Sequence, residues 1–395
     1  MRIWRYGLVV LSLLLVVGCN TIEHRSETVE KKPLPALPEQ KVGPKLVWSN
    51  SQSSGVGKTH SRLRLSLAES LVVTADNKGK IFAFDQKTGA LKWQTDTKAK
   101  ITAGPTIAEG RVLVGTENSQ LLAYQLADGK FSWKADLTGS VLAAPQGNRG
   151  MVFVHTLDGS VVALNADDGR QLWFYSAHLP PVMLRRGSSP ALIDNHVIVG
   201  FANGRLVALH RMDGQPDWER EIAVSKGRSD IQRMVDISAD PVVKNNTVYA
   251  VSYQGRLMAL NADMGNPLWE RDMSSYSGLA VTDRVVFVSD AKGVVWAIDR
   301  KSGRELWKQT DLTGRHLSAP AVIGNSVMVG DDDGILHWFA QEDGSWKGRT
   351  VVDSKGIEAT PIVKDNRVYV LGKGGKMMVY EISDKLSIPS ARGSH

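Results

Sequence analysis

The stretch ALNADDGRQLW, residues 163–173, decides the fold because the chain repeats it. Five other stretches keep its Ala, Gly and Trp at the same spacing, and they begin at residues 83, 123, 208, 259 and 297. A less regular copy surrounds Gly344 and Trp346. The copies follow one another about every forty residues, and a period of this length indicates a repeat architecture with one supersecondary unit per repeat.

Each repeat is predicted to contain four short β-strands. Residues 152–155 form a strand with apolar residues, the Gly-containing turn LDGS follows, and VVAL forms a second alternating strand. The chain then turns at an Asp-rich segment ending in Gly169, a position that favours positive φ, and closes on a strand carrying Trp173. A further strand opens each unit after a small residue and proline, as at Pro145.

Four antiparallel strands in about forty residues form one blade of a β-propeller. Helical solenoids of similar period need apolar stripes with a period of 3.6 residues, which the sequence lacks. A parallel β-helix would need much shorter rungs.

The two ends of the chain determine the number of blades. After Trp346 the sequence supplies three strands, ATPIV, VYVLG and KMMVYEI, without a closing Trp strand. The N-terminal segment KLVWS, residues 45–49, is a closing strand with no blade before it. The sequence therefore predicts an all-β, eight-bladed propeller of four-stranded antiparallel blades over residues 45–386, with the last blade completed by the N-terminal strand.

The repeated tryptophans are predicted to dock neighbouring blades together, because each occupies the same position in its blade. A ring of tryptophans that stacks on a ligand is the less favoured interpretation. The docking set is Trp48, Trp93, Trp133, Trp173, Trp218, Trp269 and Trp307.

Residues 1–18 have the layout of a secretory signal peptide, with Arg2 and Arg5 ahead of the apolar run LVVLSLLLVVG. The run is short for a membrane span. It ends in VVGC, which resembles a bacterial lipobox, and this resemblance implies that Cys19 is lipidated and becomes the mature N-terminus. By resemblance to other lipoproteins of Gram-negative bacteria, Asn20 favours the outer membrane.

Residues 19–44 are predicted to be a lipidated N-terminus and a tether, because a segment rich in Pro, Glu and Lys stays extended. Residues 387–395 form a C-terminal tail. Cys19 is the only cysteine, so an intrachain disulfide is excluded. The net charge of +7 comes without a Lys/Arg cluster interleaved with aromatic residues, which argues against nucleic-acid binding.

No catalytic, cofactor or metal site is predicted. The nine histidines are scattered, and no nucleophile elbow, phosphate loop or nucleotide fingerprint appears in a strand-to-helix context. The acidic run Asp331, Asp332 and Asp333 lies in a predicted hairpin turn and lacks the spacing of a calcium loop. It is predicted to be a solvated turn.

The repeat resembles the tryptophan-docking repeat AxDxxTGxxxW of the pyrroloquinoline quinone enzymes, which residues 83–93, AFDQKTGALKW, match well. The alternative function is therefore a quinoprotein-like enzyme or a ligand-binding propeller in the periplasm. Those enzymes are longer and typically carry a vicinal disulfide, a calcium site and a catalytic Asp. The single cysteine disfavours this alternative, which also predicts polar groups converging on the central channel.

The combination of lipobox, Pro-rich tether and eight short blades resembles the BamB family of outer-membrane assembly lipoproteins over nearly the whole chain. This resemblance implies a scaffold without catalysis or cofactor, anchored to the outer membrane with its propeller in the periplasm. It also implies binding to the POTRA domains of BamA and assistance to the insertion of β-barrel proteins, with unfolded barrel substrates as further partners.

Two connections between blades are unusually long. The next opening Pro follows the closing Trp by 12 positions from Trp93 to Pro105, but by 17 from Trp173 to Pro190 and by 23 from Trp218 to Pro241. Both long connections leave an outer strand, and they occur in consecutive blades, so they are predicted to lie side by side on one face. Functional residues of rigid scaffolds concentrate on such loops.

Apolar residues beside arginines are typical of interface anchors, and mixed charges fix the orientation of a partner. The family resemblance places partner contact just ahead of the two opening prolines, at Val182, Leu184, Arg185 and Asp236, while Ser238 stands where the family often has a second Asp. Packing of the apolar residues onto their own blade is the alternative. The predicted partner-binding residues are Val182, Leu184, Arg185, Arg186, Arg233 and Asp236.

Overall fold

The computed structural model describes residues 29–37, 44–57, 61–224, 228–229 and 233–382. The predicted signal peptide, the lipidation site Cys19 and the predicted tail at 387–395 lie outside these residues. Within the described part of the chain, no helix is long and apolar enough to cross a membrane.

Short β-strands alternate with tight turns along the described chain. The first sixteen strands are β1 Lys45–Asn50, β2 Arg62–Leu63, β3 Ser66–Ala68, β4 Leu71–Ala75, β5 Lys80–Asp85, β6 Leu91–Asp96, β7 Ile101–Ala108, β8 Arg111–Thr116, β9 Gln120–Gln125, β10 Phe131–Asp136, β11 Gln146–Asn148, β12 Met151–His155, β13 Ser160–Asn165, β14 Gln171–Ser176, β15 Ala191–Ile193 and β16 His196–Gly200. The remaining strands are β17 Arg205–His210, β18 Pro216–Glu221, β19 Val242–Lys244, β20 Thr247–Val251, β21 Gly255–Asn261, β22 Pro267–Met273, β23 Gly278–Val281, β24 Val285–Ser289, β25 Val295–Asp299, β26 Glu305–Gln309, β27 Ala321–Ile323, β28 Ser326–Gly330, β29 Ile335–Ala340, β30 Trp346–Val351, β31 Ile362–Lys364, β32 Arg367–Leu371 and β33 Met377–Glu381.

The strands form eight antiparallel blades around a central channel. Blades 1 to 7 are β3–β6, β7–β10, β11–β14, β15–β18, β19–β22, β23–β26 and β27–β30, and their strands are called A to D from the channel outward. Blade 8 combines β31, β32 and β33 with the N-terminal β1 as its outer strand. The predicted all-β, eight-bladed propeller is confirmed.

The N-terminal strand closes the ring by pairing with the end of the chain. β1 runs antiparallel to β33, with Trp48 opposite Val379. The short β2 then runs parallel to β7 of blade 2, so the segment after β1 crosses the mouth of the channel.

Apolar contacts hold the blades together in pairs. Eight clusters of buried apolar residues each join two neighbouring blades, such as Val161 and Trp173 of blade 3 with Val197 and Leu209 of blade 4. The core therefore lies between the sheets, which means that each blade depends on both of its neighbours.

Each tryptophan of the predicted docking set lies between two blades. Its indole N–H donates to a backbone carbonyl of the next blade over 2.7 to 3.0 Å, as from Trp173 to Arg211. The ring packs against the C–D turn glycine of that blade. At Gly169, where φ is +73°, a Cβ atom would lie 2.5 Å from the Trp133 ring, so only glycine fits both the turn and the contact.

Blade 7 departs from this pattern, because Gly348 stands opposite Trp338 where the other blades have their docking tryptophan. Blade 8 has no C–D turn, since its D strand comes from the other end of the chain. A tryptophan at position 348 would therefore have no turn glycine to pack against. Trp346, two residues earlier, packs on Phe339 instead.

Alternation of antiparallel strands sorts the connections onto two faces. The D–A and B–C connections share one face, which is called the loop face, and the A–B and C–D turns share the opposite face. Both long connections predicted from the sequence are D–A connections and therefore belong to the loop face.

Candidate partner-binding site

Two neighbouring connections form the candidate site on the loop face. The first long loop, residues 177–190, joins β14 to β15, and the second long loop, residues 222–241, joins β18 to β19. They follow consecutive blades. Of the second long loop, residues 225–227 and 230–232 are not among those described.

The bases of both loops pack over B–C turns. Leu179 lies against Gly159 of blade 3, and the Asn203 side chain of blade 4 donates to the His178 carbonyl over 3.0 Å. In the second long loop, Val235 is buried beside Gly204. These contacts hold the start of the first long loop and the later part of the second long loop on the propeller, which limits the positions that the loop tips can reach.

Asp240 joins the two loops. One of its carboxylate oxygens accepts the backbone N–H of Ser189, in the first long loop, over 2.7 Å. The same carboxylate pairs with Arg62 at 3.4 Å and with Arg64 at 3.5 Å. Because Asp240 itself belongs to the second long loop, it holds the end of one loop against the end of the other.

Arg62 reaches this junction from the segment that crosses the channel mouth. Its guanidinium donates to the carbonyls of Gly187 and Ser238, one in each long loop. Arg64 adds a contact to the Ser189 hydroxyl at 3.5 Å. The sequence alone did not reveal this clamp, because Arg62 and Arg64 lie more than a hundred residues before Ser189 and Asp240 and no motif links them.

Asp236 was predicted to lie on the binding surface, but the structure buries it, leaving the residue 1% exposed. Burial raises the pKa of Asp236 to about 8, against the opposing charges of Arg62 and Arg186 and a hydrogen bond from the Leu184 backbone. The carboxyl therefore lies beneath the first long loop. Its geometry fits support of Leu184 better than direct contact with another molecule. The neighbouring Ser238 is buried as well.

The exposed part of the site includes an apolar residue in each loop, Val182 in the first and Val224 in the second, together with several arginines. Val182 is 39% exposed, Leu184 is half-buried, and Arg185 is exposed without a hydrogen bond or ion pair to any described residue. Arg233 in the second long loop is also exposed. The two loops thus offer an apolar contact flanked by positive charge.

Arg186 points across the channel mouth. It pairs with Glu358 of the connection between blades 7 and 8, and its guanidinium lies 5.1 Å from the centre of the Tyr276 ring. Lys373 approaches the same Glu358 at 3.5 Å. The structure gives Arg186 these contacts within the chain, and its contact with a partner stays a prediction.

Polar groups do converge on the mouth of the central channel, as the ligand-binding alternative predicted. They line a cavity of about 740 Å³ that includes Arg62, Arg64, Asp240, Arg186 and Glu358. These charges face one another in ion pairs. Their main effect is to tie the loops together.

The acidic run in blade 7 was predicted to be a solvated turn, and for Asp331 this is wrong. Asp331 is fully buried, and its carboxylate binds Arg315 at 3.0 Å and His337 at 2.9 Å. Its second oxygen accepts two N–H groups of its own turn. The three carboxylates of the run come within 4.8 Å of one another, and each of them already pairs with Lys31 or Arg315.

Sequence comparison relates the chain to known proteins. A family model described as outer membrane protein assembly factor BamB matches residues 77–309 and 302–386. The outer membrane protein assembly factor BamB of Pseudomonas aeruginosa is 42% identical over 379 residues, which are 96% of this chain and 99% of the relative. The relative is an assembly factor, which confirms the prediction of a non-enzymatic protein.

Solved structures also show similarity to BamB proteins. The crystal structure of BamB from Moraxella catarrhalis superposes with a TM-score of 0.79 at 27% identity and covers 86% of this chain and 100% of that one. A quinohemoprotein alcohol dehydrogenase from Pseudomonas putida gives a TM-score of 0.68 at 13% identity, covering 89% of this chain and 78% of that one. That second likeness concerns the fold alone.

Proposed function

The chain belongs to the BamB family of outer membrane protein assembly factors, and from this premise we propose that its two long loops bind the POTRA domains of BamA. Its role lies in outer-membrane assembly. The proposal adds that the propeller is a rigid scaffold and that the loop face presents the contact. One observation supports it most: two extended loops in consecutive blades are clamped to each other through Asp240.

The clamp lowers the cost of binding. A flexible loop loses conformational entropy when it is ordered against a partner, whereas a loop fixed beforehand loses less. Asp240 and Arg62 fix the ends of both loops, and buried Asp236 supports Leu184 from below. Val182 and Arg185 are therefore presented in a defined arrangement.

The chemistry of the exposed residues indicates the kind of surface that fits. Arg185 and Arg233 carry positive charge on the two loops, and Val182 offers an apolar contact beside it. Such a site is complementary to a surface with an apolar patch and carboxylates at its edge. We expect the BamA contact to have this composition.

The experiment is co-purification of variants with BamA from solubilised envelopes. Arg185→Glu should weaken the complex strongly, because the exchange removes a charged contact and adds repulsion. Arg284→Glu is the matched control, since Arg284 is an exposed arginine in an A–B turn on the opposite face. Equal recovery of BamA by both variants would contradict the proposed face.

A second part of the proposal concerns the anchor. The lipobox-like sequence ending at Cys19 supports attachment of the protein to the outer membrane through acyl chains, with the propeller in the periplasm. Cys19→Ala should leave a folded protein that no longer fractionates with outer membranes, because a peptide alone cannot replace acyl chains. Salt-resistant retention of this variant in the outer-membrane fraction would contradict lipidation.

A further inference from the structure

A segment ahead of the propeller packs against the propeller surface. Residues 29–37, VEKKPLPAL, lie against the loop face where blade 6 connects to blade 7, and this segment is called the strap. We propose that the strap is a docking element that holds the loop face close to the lipid-bearing N-terminus. Docking of the strap does not depend on the proposed anchor at Cys19. Only the effect of docking on the distance between propeller and membrane rests on that anchor.

Backbone contacts seat the strap in one register. The N–H of Lys32 donates to the Thr313 carbonyl over 3.0 Å. Gly314 lies directly under the strap, and a Cβ atom there would come within 2.5 Å of the Glu30 carbonyl oxygen. The propeller surface is thus shaped to accept a close backbone.

One apolar and one charged side chain complete the dock. Leu34 is half-buried against the cluster between blades 6 and 7, which includes Leu312 and Leu317. The Lys31 ammonium lies 2.9 Å from Asp332 and 2.8 Å from Asp333. The hydrogen bond between Lys31 and Asp333 raises the pKa of Lys31 and lowers that of Asp333. Burial opposes ionisation of Asp332, but its hydrogen bonds to Lys31 and His316 lower its pKa overall, so all three groups stay ionised across the neutral range.

The strap sequence is suited to docking with little loss of entropy. Proline fixes φ at positions 33 and 35, and each proline also restricts the residue before it to extended conformations. Lys32 and Leu34 are those preceding residues. Four consecutive residues are therefore extended before they reach the propeller, as in polyproline segments recognised by other proteins.

Docking shortens the connection to the anchor. Lys45, at the start of β1, lies 26 positions after Cys19, a length of chain that can span about 90 Å. Val29 lies only ten positions after Cys19, a length that can span about 35 Å. A docked strap therefore holds its docking site on the loop face, beside Asp332, within about 35 Å of the membrane surface. The loop face is thereby kept nearer to the membrane than the opposite face.

The first test uses the purified full-length protein and a water-soluble carbodiimide, which joins an amine to a carboxylate in direct contact. Mass spectrometry should find Lys31 linked to Asp332 or Asp333, and adjacent Lys32 unlinked. The pair Lys244 and Asp283, 2.9 Å apart between blades 5 and 6, is the positive control. Leu34→Asp should reduce the Lys31 link at least tenfold and leave the control link unchanged. Equal linking of Lys31 and Lys32, or no effect of Leu34→Asp, would overturn strap docking.

The second test measures the distance to the membrane on vesicles with an acceptor dye in the lipid. A donor dye on Lys355→Cys of the loop face should transfer energy more efficiently than one on Asn195→Cys of the opposite face. Lys31→Glu should abolish this difference, whereas Lys32→Glu, which alters the same charge one residue away, should preserve it. A difference that persists in Lys31→Glu would overturn the orienting role of the strap.

Flotation with the vesicles is read separately and reports on the lipid anchor. A protein that forms the Lys31 cross-link but fails to float would contradict lipidation at Cys19 while leaving the strap intact. Failure of the anchor and failure of the strap are thus distinguishable.

Discussion

The docking tryptophans and the two long loops belong to the same blades but differ in burial and in repetition along the chain. Trp173 repeats a contact that six other tryptophans make, and it is buried between blades 3 and 4. Arg185, in the connection that follows, has no counterpart in the repeat and is exposed. The repeated contacts stabilise the ring, while the unrepeated loops are free to differ, which fits the recognition role proposed for them.

The largest effect on stability is expected from Trp173→Ala. The change leaves a cavity between two blades and removes the hydrogen bond to Arg211, so it should cost about 3–5 kcal/mol of unfolding free energy. Denaturant unfolding measures this cost. A loss below about 1 kcal/mol would show that the inter-blade contact matters less than its repetition suggests.

Asp236 is an exception to the contrast between buried repeat and exposed loops, because it belongs to a long loop but is buried like a core residue. Its pKa is about 8 in the folded protein and about 3.9 when unfolded, so folding favours the protonated carboxyl. This contribution is fully present below about pH 4 and is lost as the pH rises toward 8.

The test compares the unfolding free energies of the wild type and Asp236→Asn across this range. The wild type should weaken relative to the variant between pH 4 and pH 8, and the two curves should run parallel above it, because all other groups are shared. Parallel curves throughout would mean that the carboxyl is not buried.

Asp240→Ala should have a smaller effect on stability, about 1 kcal/mol, since the pairs it makes are partly exposed. The Ser189 amide loses its acceptor, so its hydrogen exchange should accelerate. Asp167→Ala is the control, because Asp167 pairs with Arg111 at an exposed edge and joins no loops. Similar exchange of Ser189 in both variants would contradict a clamp between the loops.

The repeat made the propeller predictable. Glycine at the C–D turn and tryptophan four residues later satisfy local geometry and inter-blade packing together, so each copy confirms the others. The closing strand followed from counting, because Trp48 has no blade before it and the last three strands have no tryptophan after them.

The site was predictable only in outline. The position of the long connections in the repeat placed the two loops on one face. Arg62, Arg64 and Asp240 meet only through the three-dimensional path of the chain, and no sequence spacing indicates their contact. Charge was a poor guide to exposure, because Asp236 and Asp331 are both buried. The prolines of the strap predicted that it is extended. Its docking, however, depends on Gly314, which lies far along the chain in the connection between blades 6 and 7.

The separation of stability from recognition is tested most directly by Arg185→Glu. Its unfolding free energy should stay within about 0.5 kcal/mol of the wild type, as expected for an exposed side chain. Its dissociation constant for the POTRA domains of BamA should rise at least tenfold, as expected for a lost and reversed interface charge. Both quantities are to be measured on the same preparation. Unchanged affinity in a fully stable Arg185→Glu protein would contradict the assignment of binding to the long loops.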